Sequence, residues 1–347
     1  MKKFFAVLFV LSLSLVTAAL FALPDRDVSE LENRSLTGKK NISFNVLNGD
    51  FQDSLESFTS DQFPLRDRLV YFQTGLFYLS GQREIDGAYV CDDGRLVQII
   101  SEEDLNKKSL LRYAEKINSI AEKNKVYVMY VPSACAELKD GFIKGARVYD
   151  YERLYNELSR RLEKAEIIDL YGALSNPDFY YKTDHHWNIY GAYEAYKAFC
   201  RARRAKPASL DSYETKTVTK DFQGTLFSKI PISKQTDEII IPSVPEIGVT
   251  ADGQKTDFYC LDALETKDKY NVFQGGNHGT VEIENKNGNG KTLLILKDSF
   301  ANSFVPFIAG EYSKIVLLDE RYVFISLEEY VNNLSPDEIL VLREIIN

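Results

Sequence analysis

Five short apolar runs, separated from one another by helical patterns or longer segments, constrain the fold of this chain more than any other feature. Each is rich in Val, Ile and Leu and has the length of a buried strand rather than of a helix. The runs are VYVMYV (126–131), IIDL (167–170), TLLILK (292–297), KIVLLD (314–319) and EILVLREII (338–346). Strands that alternate with helices form βαβ units. The sequence therefore predicts an α/β domain with a mostly parallel central sheet.

The stretch YYKTDHHWNIY (180–190) contains two of the three histidines of the chain. Asp184 and His186 are two positions apart, and such residues on an extended backbone point to the same face. The carboxylate can then fix the tautomer of the imidazole and stabilise its protonated form, as a hydrolytic triad requires. His185 is expected to point the other way. Asn188 is a good N-cap, which predicts a strand-to-helix turn here.

Two other interpretations of the histidines compete with catalysis. A histidine beside aromatic residues is often a hydrogen-bonded structural residue. A metal site is the second alternative, but His185 and His186 are expected to diverge, and His278 is the only other imidazole. Zinc sites normally combine several His or Cys ligands. We therefore expect neither a metal nor a cofactor.

Ser299 is the candidate nucleophile. It follows the TLLILK run and precedes a helical pattern, and a helix N-terminus offers positive potential to a developing oxyanion. Asp298 or Ser299 could instead be a simple N-cap. In open α/β sheets, loops after parallel strands meet in one crevice. Ser299, His186 and Asp184 are therefore expected to act as nucleophile, base and orienting acid.

The chain is organised around this domain in several segments. Residues 25–81 carry helical patterns broken at Pro64 and form an N-terminal helical approach segment. An α/β domain over 82–347 starts with a hairpin that turns at Asp93 and Gly94. Within it, 208–290 is rich in Thr, Lys, Gly and Pro with short β-prone pieces. We interpret that stretch as an insertion of loops and short strands covering one side of the site.

An uncharged apolar run from Phe4 to Leu23 follows Lys2 and Lys3 and is ended by Pro24. Its twenty residues fit an uncleaved signal-anchor or a long signal peptide. No Ala-x-Ala site with small residues precedes Pro24, which favours the anchor for residues 1–24. Positive charges before the run place the rest of the chain outside the cytoplasm.

Charge and cysteine content set further bounds. The formal net charge of -9, with no basic cluster, argues against a nucleic-acid partner. Cys91, Cys135, Cys200 and Cys260 are widely scattered, and outside the cytoplasm they could pair in three ways. Cys200 on the apolar face of a helix fits a plain core residue. The sequence leaves the pairing open.

Four segments carry a family resemblance. TDHHWN with the following GAY, KDSFANSFVPF, and the upstream SELENR and DQFPLR resemble the DHHW family of extracytoplasmic proteins. More distantly, the chain is similar to alginate O-acetylation proteins, whose SGNH-hydrolase-like domain has a rearranged strand order. The resemblance runs from about Val28 to near the C-terminus. It implies a three-layer α/β/α fold with a permuted sheet and an Asp–His–Ser triad at Asp184, His186 and Ser299.

The same resemblance implies acetyl transfer to or from a surface glycan. The expected function is a serine-dependent O-acetyltransferase or O-acetylesterase acting on a cell-envelope or exopolysaccharide glycan. The alternative is a non-catalytic glycan-binding or assembly protein with the same fold. A membrane acyltransferase is the acetyl donor that the relatives imply. SGNH enzymes use a Gly and an Asn as oxyanion donors, so Gly276 and Asn277, with His185 and Arg321, are candidate substrate or oxyanion residues.

Overall fold

The computed structural model describes residues 1–29, 31 and 34–347 of the chain. It divides into two compact units. The smaller unit contains Met1–Ile85 and Ser228–Ile232, and the larger contains Asp86–Phe227 and Ser233–Asn347.

The smaller unit is built mainly of helices. Pro64 lies between the second and third helices, as expected for a residue that interrupts helical hydrogen bonding. Its elements are α1 (Lys2–Ala22), β1 (Val28–Ser29), β2 (Arg34–Ser35), α2 (Asp50–Asp61), α3 (Arg66–Leu79) and β3 (Glu84–Ile85).

Two of the segments that carry the family resemblance contact each other in this unit. Arg34, the last residue of SELENR, donates two hydrogen bonds to the carboxylate of Asp61, the first residue of DQFPLR, at 2.6 and 3.1 Å. This ion pair lowers the pKa of Asp61. Glu30, Glu32 and Asn33, within SELENR, lie outside the described residues.

Helix α1 is long and apolar enough to cross a membrane. It has 21 residues, a mean hydropathy of 2.5 and only 6% of its most apolar window buried. A helix of this composition fits a membrane anchor or a signal sequence, because a core helix would bury its apolar surface.

The larger unit contains the predicted α/β domain. Its helices are α4 (Lys107–Ala121), α5 (Ala134–Phe142), α6 (Tyr151–Arg161), α7 (Ile189–Ala202), α8 (Thr225–Lys229, whose last two residues belong to the smaller unit), α9 (Ala301–Ile308) and α10 (Leu327–Leu334). Its strands are β4 (Ala88–Val90), β5 (Leu96–Gln98), β6 (Val126–Val131), β7 (Glu166–Ile168), β8 (Thr215–Phe222), β9 (Asp237–Pro242), β10 (Gly248–Ala251), β11 (Gln254–Thr256), β12 (Thr280–Glu284), β13 (Thr292–Lys297), β14 (Lys314–Leu318) and β15 (Glu338–Glu344).

An eight-stranded sheet with the order β11-β10-β12-β14-β13-β15-β6-β7 forms the centre of this unit. The five strands from β14 to β7 are mutually parallel and correspond to the five apolar runs. Four of them, β6, β13, β14 and β15, are almost entirely buried, as expected for strands covered on both faces, whereas β7 at the edge of the sheet is more exposed. The predicted α/β class with a mostly parallel sheet is confirmed.

Helices cover both faces of the sheet. Tyr127 of β6 packs edge-on against Phe199 of α7, with ring centroids 5.4 Å apart. Three residues later, Tyr130 pairs with Arg343 of β15, whose guanidinium lies 4.3 Å from the ring of Tyr113 in α4. Residues an odd number of positions apart on a strand face opposite sides. Helices α7 and α9 therefore cover one face, and α4 and α6 cover the other.

The stretch 208–290 contributes strands to two sheets. Strands β10, β11 and β12 extend the central sheet through antiparallel pairing, starting from β12 beside β14. Strands β8 and β9 form a separate two-stranded sheet. The extension strands have alternating rather than continuous burial, which makes them harder to recognise as sheet members from sequence.

All four cysteines are free thiols. Cys91, Cys135 and Cys200 are buried in the core, and Cys260 is partly exposed. Burial raises the pKa of Cys91 and of Cys135 to about 12, so these thiols have the character of packing residues.

Candidate active site

The segment between β7 and α7 closes into a tight turn. Tyr180 and Trp187 form an isolated antiparallel bridge around the Asp–His pair. The side chain of Asn188 accepts hydrogen bonds from the N–H groups of Tyr190 and Gly191, and so caps α7 as the sequence predicted. The turn is thus fixed on both sides, at the bridge and at the start of the helix.

Asp184 and His186 form a direct hydrogen bond inside this turn. Nδ1 of His186 lies 2.6 Å from Oδ1 of Asp184, and the backbone N–H of His186 donates to the same oxygen at 3.0 Å. Both side chains are almost fully buried. Because the carboxylate accepts from Nδ1, the imidazole carries its proton there and leaves Nε2 as an acceptor.

Ser299 meets that acceptor. It lies two residues after β13, and its Oγ is 2.7 Å from Nε2 of His186. The structure therefore brings Asp184, His186 and Ser299 into one continuous hydrogen-bonded chain. The candidate nucleophile and base come from positions 113 residues apart in the sequence.

Aromatic side chains hold the two loops together. Nε1 of Trp187 donates to the carbonyl oxygen of Phe300 and to Oγ of Ser303, both at 3.0 Å. The ring of Tyr270 stacks on His186 with centroids 4.1 Å apart, and its hydroxyl donates to the carbonyl of Ser299 at 3.1 Å. The imidazole and the serine backbone are thus fixed by groups that the sequence did not indicate.

Thr225, within the stretch 208–290, holds the second oxygen of Asp184, and Gly224 packs closely against the side chain of Asp184. The N–H and the hydroxyl of Thr225 donate to Oδ2 at 2.8 and 3.1 Å. A Cβ at Gly224 would lie 2.3 Å from both Cβ and Oδ2 of Asp184, so only glycine fits there. Sequence reasoning missed both residues, because a Gly-Thr pair in a loop carries no signal of its own.

The electrostatics favour an ionised Asp184. Burial alone would raise its pKa, but the charges of His185 and His186 and the hydrogen bonds from His186 and Thr225 hold the pKa well below its usual range. An ionised Asp184 can stabilise the imidazolium that forms when His186 takes a proton from a serine.

The sequence position of His185 suggested that its side chain leaves the turn on the face opposite to His186. The structure shows a different arrangement. Its ring lies beside that of His186, with centroids 3.9 Å apart. Nδ1 of His185 is 2.9 Å from Oγ1 of Thr225. Burial and the charge of His186 lower the pKa of His185. The turn is bent rather than extended, so neighbouring side chains lie side by side.

The sequence profile of the family described as "DHHW protein" matches residues 112–318, more than half of the chain. The chain belongs to the DHHW family. A search of curated protein sequences finds no match.

Solved structures support this assignment at the level of the fold. A DHHW family protein from Eubacterium siraeum matches with a TM-score of 0.61 and 24% identity, over 74% of this chain and 93% of that one. PatB1 from Bacillus cereus, solved with a sulfonyl adduct, matches with a TM-score of 0.63 and 20% identity, over 73% and 93%. The SGNH-hydrolase-like three-layer fold implied by the resemblance is the fold observed.

A more distant similarity to alginate O-acetylation proteins is also present. The O-acetyltransferase domain of Pseudomonas putida AlgJ matches with a TM-score of 0.47 and 13% identity, over 75% of this chain and 91% of that domain. That value is too low to support any conclusion about the site of this DHHW protein.

Gly276, a candidate oxyanion donor, has its backbone N–H engaged within its own loop. Its N–H donates to the carbonyl of Phe273 at 3.3 Å, and its Cα faces the side chain of Asn271. Asn277 is exposed. At the start of α9, the N–H of Phe300 already donates to Asp298 at 3.0 Å.

Arg321 forms an ion pair after β14. Its Nε and Nη2 donate to the two oxygens of buried Asp319 at 2.8 and 2.6 Å. Its guanidinium also lies 5.5 Å from the ring of Tyr322. The half-exposed guanidinium is thus engaged in a local structural pair, and a role in lining the cleft stays a prediction.

Glu344 is a buried acid near the histidines that the sequence did not single out. It ends β15 and is 6% exposed. Burial raises its pKa to about 7, although the charge of His185 and a hydrogen bond with Ser133 act in the opposite direction. Glu344, Ser133 and His185 line a cavity of about 10 Å³, which has room for roughly one water molecule.

Within the part of the chain that the structure describes, Asp184, His185 and His186 form a group that could hold a metal ion. One ligand atom from each lies within 4.8 Å of the others. Both oxygens of Asp184, however, already accept hydrogen bonds from Thr225 and His186, and Nε2 of His186 pairs with Ser299. A metal would have to displace these donors, so the arrangement fits proton transfer better than ligation.

Proposed function

We propose that this DHHW protein is an extracytoplasmic, serine-dependent O-acetyltransferase or O-acetylesterase acting on a cell-envelope or exopolysaccharide glycan. The observation that carries the proposal is the hydrogen-bonded chain from Asp184 through His186 to Ser299. This arrangement activates a hydroxyl as a nucleophile toward an ester carbonyl.

The reaction proceeds in two halves. Oγ of Ser299 attacks the acetyl carbonyl while Nε2 of His186 takes its proton, and Asp184 stabilises the imidazolium. His186 returns the proton to the departing alcohol, which leaves an acetyl-Ser299 ester. In the second half, a sugar hydroxyl or water gives its proton to His186 and attacks that ester. The acetyl group leaves on the new oxygen, and Ser299 regains its proton.

Two further observations support the proposal. PatB1, which shares the fold, was solved with a sulfonyl adduct, and sulfonyl groups modify nucleophilic side chains. The apolar helix α1 fits a membrane anchor that would keep the domain outside the cytoplasm near envelope glycans. A membrane acyltransferase would then supply the acetyl group to Ser299.

The decisive experiment is to trap the intermediate. The protein is incubated with p-nitrophenyl acetate, quenched in acid and digested, and the peptide containing Ser299 is weighed by mass spectrometry. We expect one added acetyl group on Ser299 in the wild type and none at that position in Ser299→Ala. A folded protein that never carries acetyl on Ser299 would contradict the proposal and favour the non-catalytic glycan-binding alternative.

A further inference from the structure

The hydroxyl of Thr225 lies between Asp184 and His185. Its Oγ1 is 3.1 Å from Oδ2 of Asp184 and 2.9 Å from Nδ1 of His185. A hydroxyl has a single proton to donate. Thr225 can therefore donate in only one of the two contacts. In the other contact its hydroxyl oxygen must accept.

The ionised carboxylate decides the direction. A carboxylate accepts and cannot donate, and hydrogen bonds to a charged group are the stronger ones. Thr225 therefore donates to Asp184, and Nδ1–H of His185 donates to Thr225. The 3.6 Å between Nδ1 of His185 and Oδ1 of Asp184 also favours a proton on Nδ1.

This direction leaves Nε2 of neutral His185 as an acceptor. Among the residues that the structure describes, none donates a hydrogen bond to that nitrogen. The side chain keeps 26% of its surface exposed, in contrast to the 6% of His186. An accessible imidazole whose Nε2 can accept a hydrogen bond is suited to a ligand that donates one.

The location of His185 indicates which ligand. Its ring lies 3.9 Å from that of His186, whose Nε2 contacts Ser299. Two rings this close together can both contact one sugar residue. While one hydroxyl gives its proton to His186, the next can donate to His185.

We propose that Asp184 sets the tautomers of both histidines, that of His186 directly and that of His185 through Thr225. In this arrangement, which rests on the function proposed above, Nε2 of His185 binds the hydroxyl adjacent to the one that is acetylated. The substrate class is then a vicinal diol rather than an isolated alcohol. His185 is a specificity-determining residue, and Thr225 is a positioning residue.

The first test measures the tautomer in the protein alone. The chain has three histidines, so ¹³C and ¹⁵N NMR of histidine-labelled protein is tractable, and the missing signals of His185→Phe assign the ring. We expect an Nδ1–H tautomer for His185 in the wild type and in Thr225→Ser. In Thr225→Val the Nε2–H fraction rises, because the acceptor for Nδ1–H is lost. An Nε2–H ring in the wild type, or no change in Thr225→Val, overturns the assignment.

The second test measures acceptor choice. With p-nitrophenyl acetate as donor, acetyl transfer to cis-1,2-cyclohexanediol is compared with transfer to cyclohexanol, after correction for the two hydroxyls of the diol. We expect a wild-type preference for the diol of up to about tenfold, the value of one net hydrogen bond. The preference is lost in His185→Phe, which keeps a stacking ring, reduced in Thr225→Val and retained in Thr225→Ser.

The outcomes separate this inference from the proposed function. Acetyl-Ser299 formation with no diol preference, or a preference that survives in His185→Phe, overturns the role of His185 alone. Failure to form acetyl-Ser299 overturns the proposed function and the acceptor role together. The NMR measurement still decides the tautomer in that case, because it needs no substrate.

Discussion

Asp184 is the residue on which the candidate site depends most, because both of its oxygens are engaged. One oxygen accepts from the backbone and ring of His186, and the other accepts from the N–H and hydroxyl of Thr225. A carboxylate held in this way cannot rotate without losing several hydrogen bonds. The acid of the site is therefore fixed before any substrate arrives.

The first prediction concerns the separate roles of the three triad residues. Ser299→Ala and His186→Ala should each abolish acetyl-ester turnover, and the double variant should be little worse than either, because the two act as one unit. Asp184→Asn should lower turnover by as much as about 10⁴-fold, because it presents the wrong tautomer. Initial rates with p-nitrophenyl acetate test this, after circular dichroism has shown that each variant folds. If the rate losses of the two single variants multiply in the double variant, Ser299 and His186 would not act as one unit.

The second prediction concerns Gly224. Gly224→Ala should lower both activity and stability, because the new Cβ would lie 2.3 Å from the side chain of Asp184. Overpacking of this kind costs about 1–3 kcal/mol, and a displacement of about 1 Å at the site can cost on the order of 10²-fold in rate. Thermal unfolding and ester turnover measure the two effects.

Gly75 offers a matched control for Gly224. It lies in helix α3, and nothing is within 4 Å of the position that its Cβ would occupy. Gly75→Ala should leave turnover unchanged and stabilise the helix by up to about 1 kcal/mol. Equal losses of turnover and stability in Gly224→Ala and Gly75→Ala would show that the contact between the new Cβ and Asp184 is not their cause.

Local sequence pattern could predict Asp184, His186 and Ser299 because all three follow the predicted strand-to-helix alternation. It could not predict Thr225, which lies 41 residues from Asp184 in the chain and meets it only through tertiary folding. The direction of His185 was predicted wrongly for a related reason. The two-residue alternation of a strand does not hold inside a bent turn.

At the scale of elements, the runs with continuous apolar sequence were predicted best. VYVMYV and TLLILK match β6 and β13 residue for residue, because strands buried on both faces leave no ambiguity of pattern. The predicted run IIDL starts one residue late and extends past β7, which ends at Ile168. Helix α5 carried no clear apolar periodicity and was not predicted.

The third prediction concerns the end of β15. Because burial raises the pKa of Glu344 from 4.5 to about 7, the folded protein holds a proton that the unfolded chain has released. The bound proton stabilises the folded state fully below about pH 4.5. This contribution to the free energy of unfolding, roughly 3 kcal/mol, is lost as the pH rises to about 7. Glu344→Gln should therefore gain stability relative to the wild type between about pH 5 and about pH 8.

Urea unfolding of the wild type and Glu344→Gln, at about pH 5 and at about pH 8, measures this difference in stability. Burial also raises the pKa of Glu137 to about 7, but Glu137 titrates in both proteins and cancels in the comparison. Parallel pH dependence in the two proteins would show that Glu344 is already ionised in the folded state.

At the scale of the whole molecule, the fourth prediction concerns the membrane. The full chain should fractionate with membranes and resist extraction by salt, because α1 offers an apolar surface of spanning length. A chain that starts at Pro24 should be soluble. Recovery of a mature form without the first twenty-odd residues would identify the segment as a cleaved signal instead.

The position of β15 has a consequence for how the molecule can fold. This strand follows all the others in the sequence, yet it lies inside the sheet between β13 and β6, where Ile339 pairs with Val126. Contacts between residues so distant in sequence form slowly, because the chain must close a long loop before they stabilise it. The two parts of the sheet stay unjoined until the last strand inserts. A partly synthesised chain therefore exposes two unsatisfied β edges, and we expect chaperone dependence to be greatest just before β15 becomes available.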